Sequence, residues 1–139
     1  MSKQSWLMLV VGLVLGAGFT ALRADEASAT RVFEIRTYYT HPGRLDALHK
    51  RFRDHTMKLF EKHGMTNVGY WVPQDAPAHD NTLIYVISHA SRDQAKKNWQ
   101  AFSADPDWKK VAAESEQDAK IVERVDKVFV DATDYSPLR

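Results

Sequence analysis

From Arg31 to Ala132 the hydrophobic pattern switches between the period of a strand and the period of a helix, in an order that few folds can accommodate. The stretch "RVFEIRTYYT" alternates, with Phe33 and Ile35 on one face and Glu34, Arg36 and Tyr38 on the other. It reads as a half-buried strand. "HPGR" breaks it, and Leu45, Leu48, Phe52, Leu59 and Phe60 then recur at helical spacing as far as Gly64, a residue suited to a helix C-terminus. "TNVGYWVP" and "TLIYVISHA" read as two further strands joined by the loop "QDAPAHDN". Ser91 opens a second helix, with Ala95, Trp99 and Phe102 on one stripe. Asp105-Pro106 restarts that helix, because Asp suits the N-cap and Pro the first helical position, and Trp108, Val111 and Ala112 carry the apolar face on. "DKVFVDA" reads as the last strand.

The order β-α-β-β-α-β predicts an α+β, ferredoxin-like sandwich: a four-stranded antiparallel sheet with helices on one face. Val68, Tyr70, Trp71, Val72, Leu83, Tyr85 and Ile87 make the second and third strands too apolar on both faces for one to meet water. Pairing of two such sheets in a homodimer, a dimeric α/β barrel, is the expected cover. Glu34, Arg36 and Tyr38 are expected on the face that the dimer covers, where charges must be paired or hydrated.

Composition closes off several classes. The 139 residues suit one domain, with 44% hydrophobic residues for a core and 27% charged residues for a surface. A net charge of +1 gives no reason to expect nucleic acid, and "KRFR" at 50–53 reads as a solvated helix face. With no cysteine, disulfides, thiolate catalysis, Cys-ligated zinc and iron–sulfur clusters are excluded. The chain has no G-x-S-x-G and no glycine-rich phosphate loop. Residues 1–29 have the layout of a signal peptide: Lys3, an uncharged run from Gln4 to Leu22, and a small-x-small site at Ala27-Ser28-Ala29. Residues 5–22 would form a helix of about 27 Å, so an uncleaved membrane anchor is the alternative. Either way the domain from residue 30 to 139 is expected outside the cytoplasm, periplasmic or extracellular.

Five segments together, "FEIRTYYTHPGRLDAL", "HGMTNVGYW", "NTLIYVISHAS", "WQAFSADPDW" and the terminal "YSPL", resemble the NIPSNAP family of the dimeric α/β-barrel superfamily over roughly residues 31–138. The resemblance implies the ferredoxin-like fold and a back-to-back dimer. It assigns no settled catalytic residues. Superfamily relatives include cofactor-free monooxygenases and haem-handling proteins, an analogy at the level of fold.

Two groups of residues are candidates for a site. Three of six histidines lie in "HKRFRDHTMKLFEKH". On one helix His49 and His55 stand about 120° apart and about 9 Å along the axis, and His55 and His63 about 80° and 12 Å. A shared metal needs ligands at i and i+4, so no zinc centre forms from this helix alone. His63, one residue before Gly64, either serves the helix C-terminus or titrates at the end of a pocket between helix and sheet. The second group is "EIRTY". Either Glu34 and Arg36 form an ion pair that sets the dimer register, or Arg36 and Tyr38 anchor an anion or carbonyl. Tyr85 and His89 join them if the third strand neighbours the first. Trp71, Trp99 and Trp108 are expected in the core, as aromatic walls if a pocket exists. No cofactor is predicted; a haem would need His63, His55 or His89 as axial ligand, and nothing selects among them.

These residues lead to an exported homodimer that binds a small apolar or aromatic molecule. One alternative is a cofactor-independent monooxygenase or isomerase acting on an aromatic or enolisable substrate, with Arg36 and Tyr38 holding an oxyanion and His63 as base. Glu34, Trp71, Tyr85, His89 and Trp99 would contact the substrate. The other alternative is a structural or interaction module.

Overall fold

The computed structural model describes residues 31–139, and the leader-like segment 1–29 lies outside them. Strand β1 spans Val32–Thr40. The first helical rod follows as α1 (Leu45–Arg51), a π-helical turn (Phe52–Thr56) and α2 (Met57–Lys62). Strand β2 (Thr66–Trp71) and strand β3 (Thr82–His89) flank a loop containing a short 3-10 turn. The second helical layer is α3 (Arg92–Ala104) and α4 (Pro106–Ser115), and β4 (Val122–Val130) ends the fold. The four strands form one antiparallel sheet in the order β2-β3-β1-β4, the ferredoxin-like arrangement.

Local chemistry accounts for most boundaries. The Oγ of Ser91 accepts from the N–H of Gln94 at 3.0 Å, capping α3. Asp105 caps α4 by accepting from the N–H of Asp107 at 2.8 Å, with Pro106 at the first helical position. At the end of α2 the chain turns through Gly64 at φ +76°, and the N–H groups of Met65 and Gly64 return to the carbonyls of Phe60 and Glu61. That paired closure satisfies two end carbonyls of the helix.

The π turn is a local feature the periodicity did not suggest. Its N–H from Met57 reaches back to the carbonyl of Phe52, and the Thr56 hydroxyl donates to the carbonyl of Arg51 at 3.2 Å. The extra residue brings Phe60 round to the azimuth of Phe52. Their rings sit 6.0 Å apart, and both pack on Tyr85. Leu48, Ile87, Phe102 and Ile121 complete this core.

Four expectations need correction. Glu34, Arg36 and Tyr38 do not lie on the uncovered face of the sheet: they face the helices, where Glu34 is fully buried and bonded to Trp99 of α3. The uncovered face carries Ile35, which lies between Val86 of β3 and Val128 of β4, together with Ile84 and its partner Trp71. Alternation separated the two faces of β1 correctly, but both carried apolar neighbours, so pattern alone could not say which would receive the helices. Trp71 is 54% exposed rather than core, lying back over Gly69 at the sheet edge. Arg51 of the "KRFR" cluster is buried against Trp108, its guanidinium 5.4 Å from the ring. Finally, β4 begins at Val122, earlier than the reading from Asp126, and ends at Val130. An edge strand tolerates the charges of "VERV" that masked the alternation.

Candidate functional site

Glu34 on β1 organises the most densely bonded polar cluster of the described residues. Its Oε1 accepts from Arg36 Nη1 at 2.7 Å. Its Oε2 accepts from the indole N–H of Trp99 at 2.7 Å and from His89 Nε2 at 3.0 Å. The cross-strand register makes this possible, since His89 ends the strand beside β1 and α3 lays Trp99 across both.

The hydrogen positions follow from Asn98. One amide hydrogen goes to the carbonyl of Gly64 at 3.2 Å, and its Oδ1 accepts from Gln94 at 2.8 Å, so the other faces His89 Nδ1 at 3.2 Å. Nδ1 therefore accepts, and Nε2 carries the hydrogen given to Glu34. Burial alone would raise the pKa of Glu34, but the bonds from His89, Trp99 and Arg36 outweigh it and hold the carboxyl below its ordinary range. Glu34 is thus an ionised, saturated acceptor and a weak base.

The Arg36 guanidinium lies 4.2 Å from the centre of the Trp99 ring and 5.6 Å from that of Tyr38. Tyr85 donates to the Tyr38 hydroxyl at 3.1 Å, which leaves the Tyr38 hydrogen free. Arg36 Nε is buried without an acceptor, as is Nε of Arg51. Burial raises the pKa of Tyr85 well above normal, and Tyr70, stacked on it, is raised for the same reason. Both stay neutral phenols at physiological pH.

A groove of about 760 Å³ opens beside this cluster, between α3 and the edge strand β4. Trp99 and Phe129 form its aromatic walls and Glu34 lies at its floor, with Arg92, Lys96 and Lys127 around it. Phe129 is there because it pairs directly with Glu34 across the sheet. A second, smaller cleft of about 270 Å³ lies at the opposite sheet edge, lined by His49, Phe52, Met57, Tyr70 and Trp71 among others.

The structure brings Glu34, Arg36, His89 and Trp99 together, with Tyr38 and Tyr85 adjoining. It places the other candidates elsewhere. Trp71 belongs to the smaller cleft, and Tyr85 is sealed in the core. His63 Nε2 is bonded to Asp105 at 2.6 Å, tying the end of α2 to the cap of α4. No hydrogen bond or aromatic contact links it to Arg36 or Tyr38 among the described residues. Of the three histidines named as possible haem ligands, both ring nitrogens of His89 are hydrogen-bonded, Nε2 of His63 is bonded to Asp105, and His55 is exposed. No three His, Asp or Glu residues converge as a metal site among the described residues.

The sequence reading missed Asn98, Arg92, Lys96, Lys127, Phe129 and Arg51. Asn98 left a usable signal, because it falls on the stripe of Ala95 and Phe102, and a polar residue on a buried stripe is there to bond something. Arg51 depended on how α4 packs against the first helical rod, and the others on where β4 docks beside α3.

Comparison with known proteins follows the same line as the fold. The family model described as NIPSNAP matches residues 33–137. No curated protein matches the sequence. A NIPSNAP family protein with unknown function from Agrobacterium tumefaciens is similar in structure, with TM-score 0.68 and 23% identity over 80% of this chain and 96% of the other. An uncharacterised NIPSNAP-like domain protein from Burkholderia xenovorans gives TM-score 0.67 and 15% identity over 78% and 90%. SnoaB, a cofactor-independent oxygenase from Streptomyces nogalater, gives TM-score 0.52 and 15% identity over 78% and 99%. At these identities the likenesses speak for the fold alone.

Proposed function

This chain belongs to the NIPSNAP family, and from that premise we propose that it is an exported homodimer that binds a small apolar or aromatic molecule in the groove between α3 and β4. One observation carries the reading: the groove has two aromatic walls, yet Glu34, the carboxylate at its floor, is fully spent on holding Trp99, His89 and Arg36 in place. Such a site is built to present a fixed surface. Glu34 is not available there to remove a proton. Export rests on the leader-like pattern of residues 1–29. Dimerisation rests on the apolar face of Ile35, Ile84, Val86 and Val128, which no helix of the described residues covers.

The oxygenase or isomerase reading keeps one supporting feature, the unshared donors of Arg36 Nε and the Tyr38 hydroxyl on residues whose guanidinium and ring lie 5.6 Å apart. Those could hold an oxyanion. Its proposed base, His63, is committed to Asp105. Native mass spectrometry of the full chain from its own host, followed by incubation of any released ligand with the protein in air, separates the readings. A dimer carrying a small molecule that returns unchanged supports binding. Conversion of the ligand makes the protein an enzyme, and a bare monomer removes the proposal.

A further inference from the structure

We infer that the ligand of this groove is an aromatic acid, a flat apolar body with one carboxylate, rather than a neutral aromatic compound; the inference rests on the groove being the binding site. Three cations border the groove: Arg92 and Lys96 on α3, and Lys127 on β4. Among the described residues none of the three has a carboxylate within 4.0 Å, although Arg44, Lys50, Arg51, Lys62 and Lys110 all do. Asp93 is the one acidic residue at the rim, and Glu34 is already neutralised by Arg36 at 2.7 Å. The groove therefore carries a surplus of positive charge on a protein whose whole chain amounts to +1.

The cations are also arranged around an aromatic surface. Arg92 stacks on Phe129 with its guanidinium carbon 3.3 Å from the ring centre, and Arg36 covers Trp99 at 4.2 Å. A guanidinium stacked on a ring keeps in-plane N–H groups free to meet an acid group beside that ring, which suits Arg92, whereas Arg36 is spent on Glu34. Lys96 on the helix and Lys127 on the strand both line the groove, each a flexible point charge available to an anion. A neutral aromatic ligand would use the walls and leave the charge unmatched. An acid uses both.

The test compares naphthaleneacetate with naphthaleneacetamide, two probes of nearly the same shape and different charge, by isothermal titration of the full chain at low and high salt. The acid is expected to bind about tenfold more tightly at low salt, the sum of several modest exposed ion pairs, and to lose that advantage in high salt. Combining Lys96→Gln with Lys127→Gln should bring the acid down to the amide. Both lysines are exposed, and circular dichroism checks that the variant is folded. Equal binding of the two probes overturns the charge inference and leaves the groove reading standing. Binding of neither overturns both. A preference for the acid that survives the double substitution places the site elsewhere and also overturns the inference.

Discussion

The indole nitrogen of Trp99 lies 2.7 Å from Oε2 of Glu34, a bond from the second helical layer to the first strand. It makes the wall of the groove and the buried charge of the sheet a single unit, since the same carboxylate also holds His89 and Arg36. Stability and binding geometry should consequently fail together when this unit is cut.

Glu34→Ala leaves Arg36 as a buried cation without its partner and strands the N–H groups of Trp99 and His89. Removal of one member of a buried pair costs about 3–5 kcal/mol. Urea denaturation should show that loss, and a change below about 1 kcal/mol would mean the cluster is solvated in solution.

The pH dependence has a definite sign. Glu34 has a folded pKa below its ordinary 4.5, so its stabilising effect is complete above that value and disappears as pH falls through the folded pKa. The wild-type advantage over Glu34→Gln in urea midpoint should be constant near neutrality and shrink below about pH 4.5. A difference that stays flat down to about pH 3 would contradict the assignment.

Gly43 and Gly64 provide a matched pair, with φ of +74° and +76°. An alanine Cβ at Gly43 meets nothing within 4 Å, whereas at Gly64 it would sit 3.3 Å from Asn98 Oδ1. Gly43→Ala should cost about 1–2 kcal/mol from backbone strain alone. Gly64→Ala should cost more and should weaken ligand binding, because Asn98 orients His89. Equal costs measured by thermal unfolding would show that Asn98 yields freely.

Thr56→Val keeps the shape of a buried side chain and deletes the hydroxyl that serves the Arg51 carbonyl in the π turn. A loss of about 1 kcal/mol is expected, with the fold retained. A neutral or stabilising result would show that the π turn is held by the packing of Phe52 and Phe60 alone.

Val128→Arg places a charge on the uncovered sheet face, on the edge strand beside Ile35. Analytical ultracentrifugation should find a wild-type dimer and a monomeric variant with unchanged circular dichroism. A wild-type monomer at micromolar concentration would refute the dimer.

Element order, the break at Asp105-Pro106 and the end of the first helical rod at Gly64 were legible because each rests on a local rule: a hydrophobic period, an N-cap or a left-handed glycine. The pairing of Glu34 with Arg36 and the proximity of His89 were legible too, since spacing by two along a strand and the neighbour order of a ferredoxin-like sheet are topological. What the sequence could not decide was side. The two faces of β1 differ in which residues they carry and much less in how apolar their neighbours are, so only the docking of α3, with Trp99 supplying a donor for Glu34, turned the charged face inward. The groove is tertiary in the same sense. Arg92, Lys96, Lys127 and Phe129 come from a helix and an edge strand, and no sequence period relates the two. They meet because β4 pairs with β1 in a register that sets Phe129 opposite Glu34.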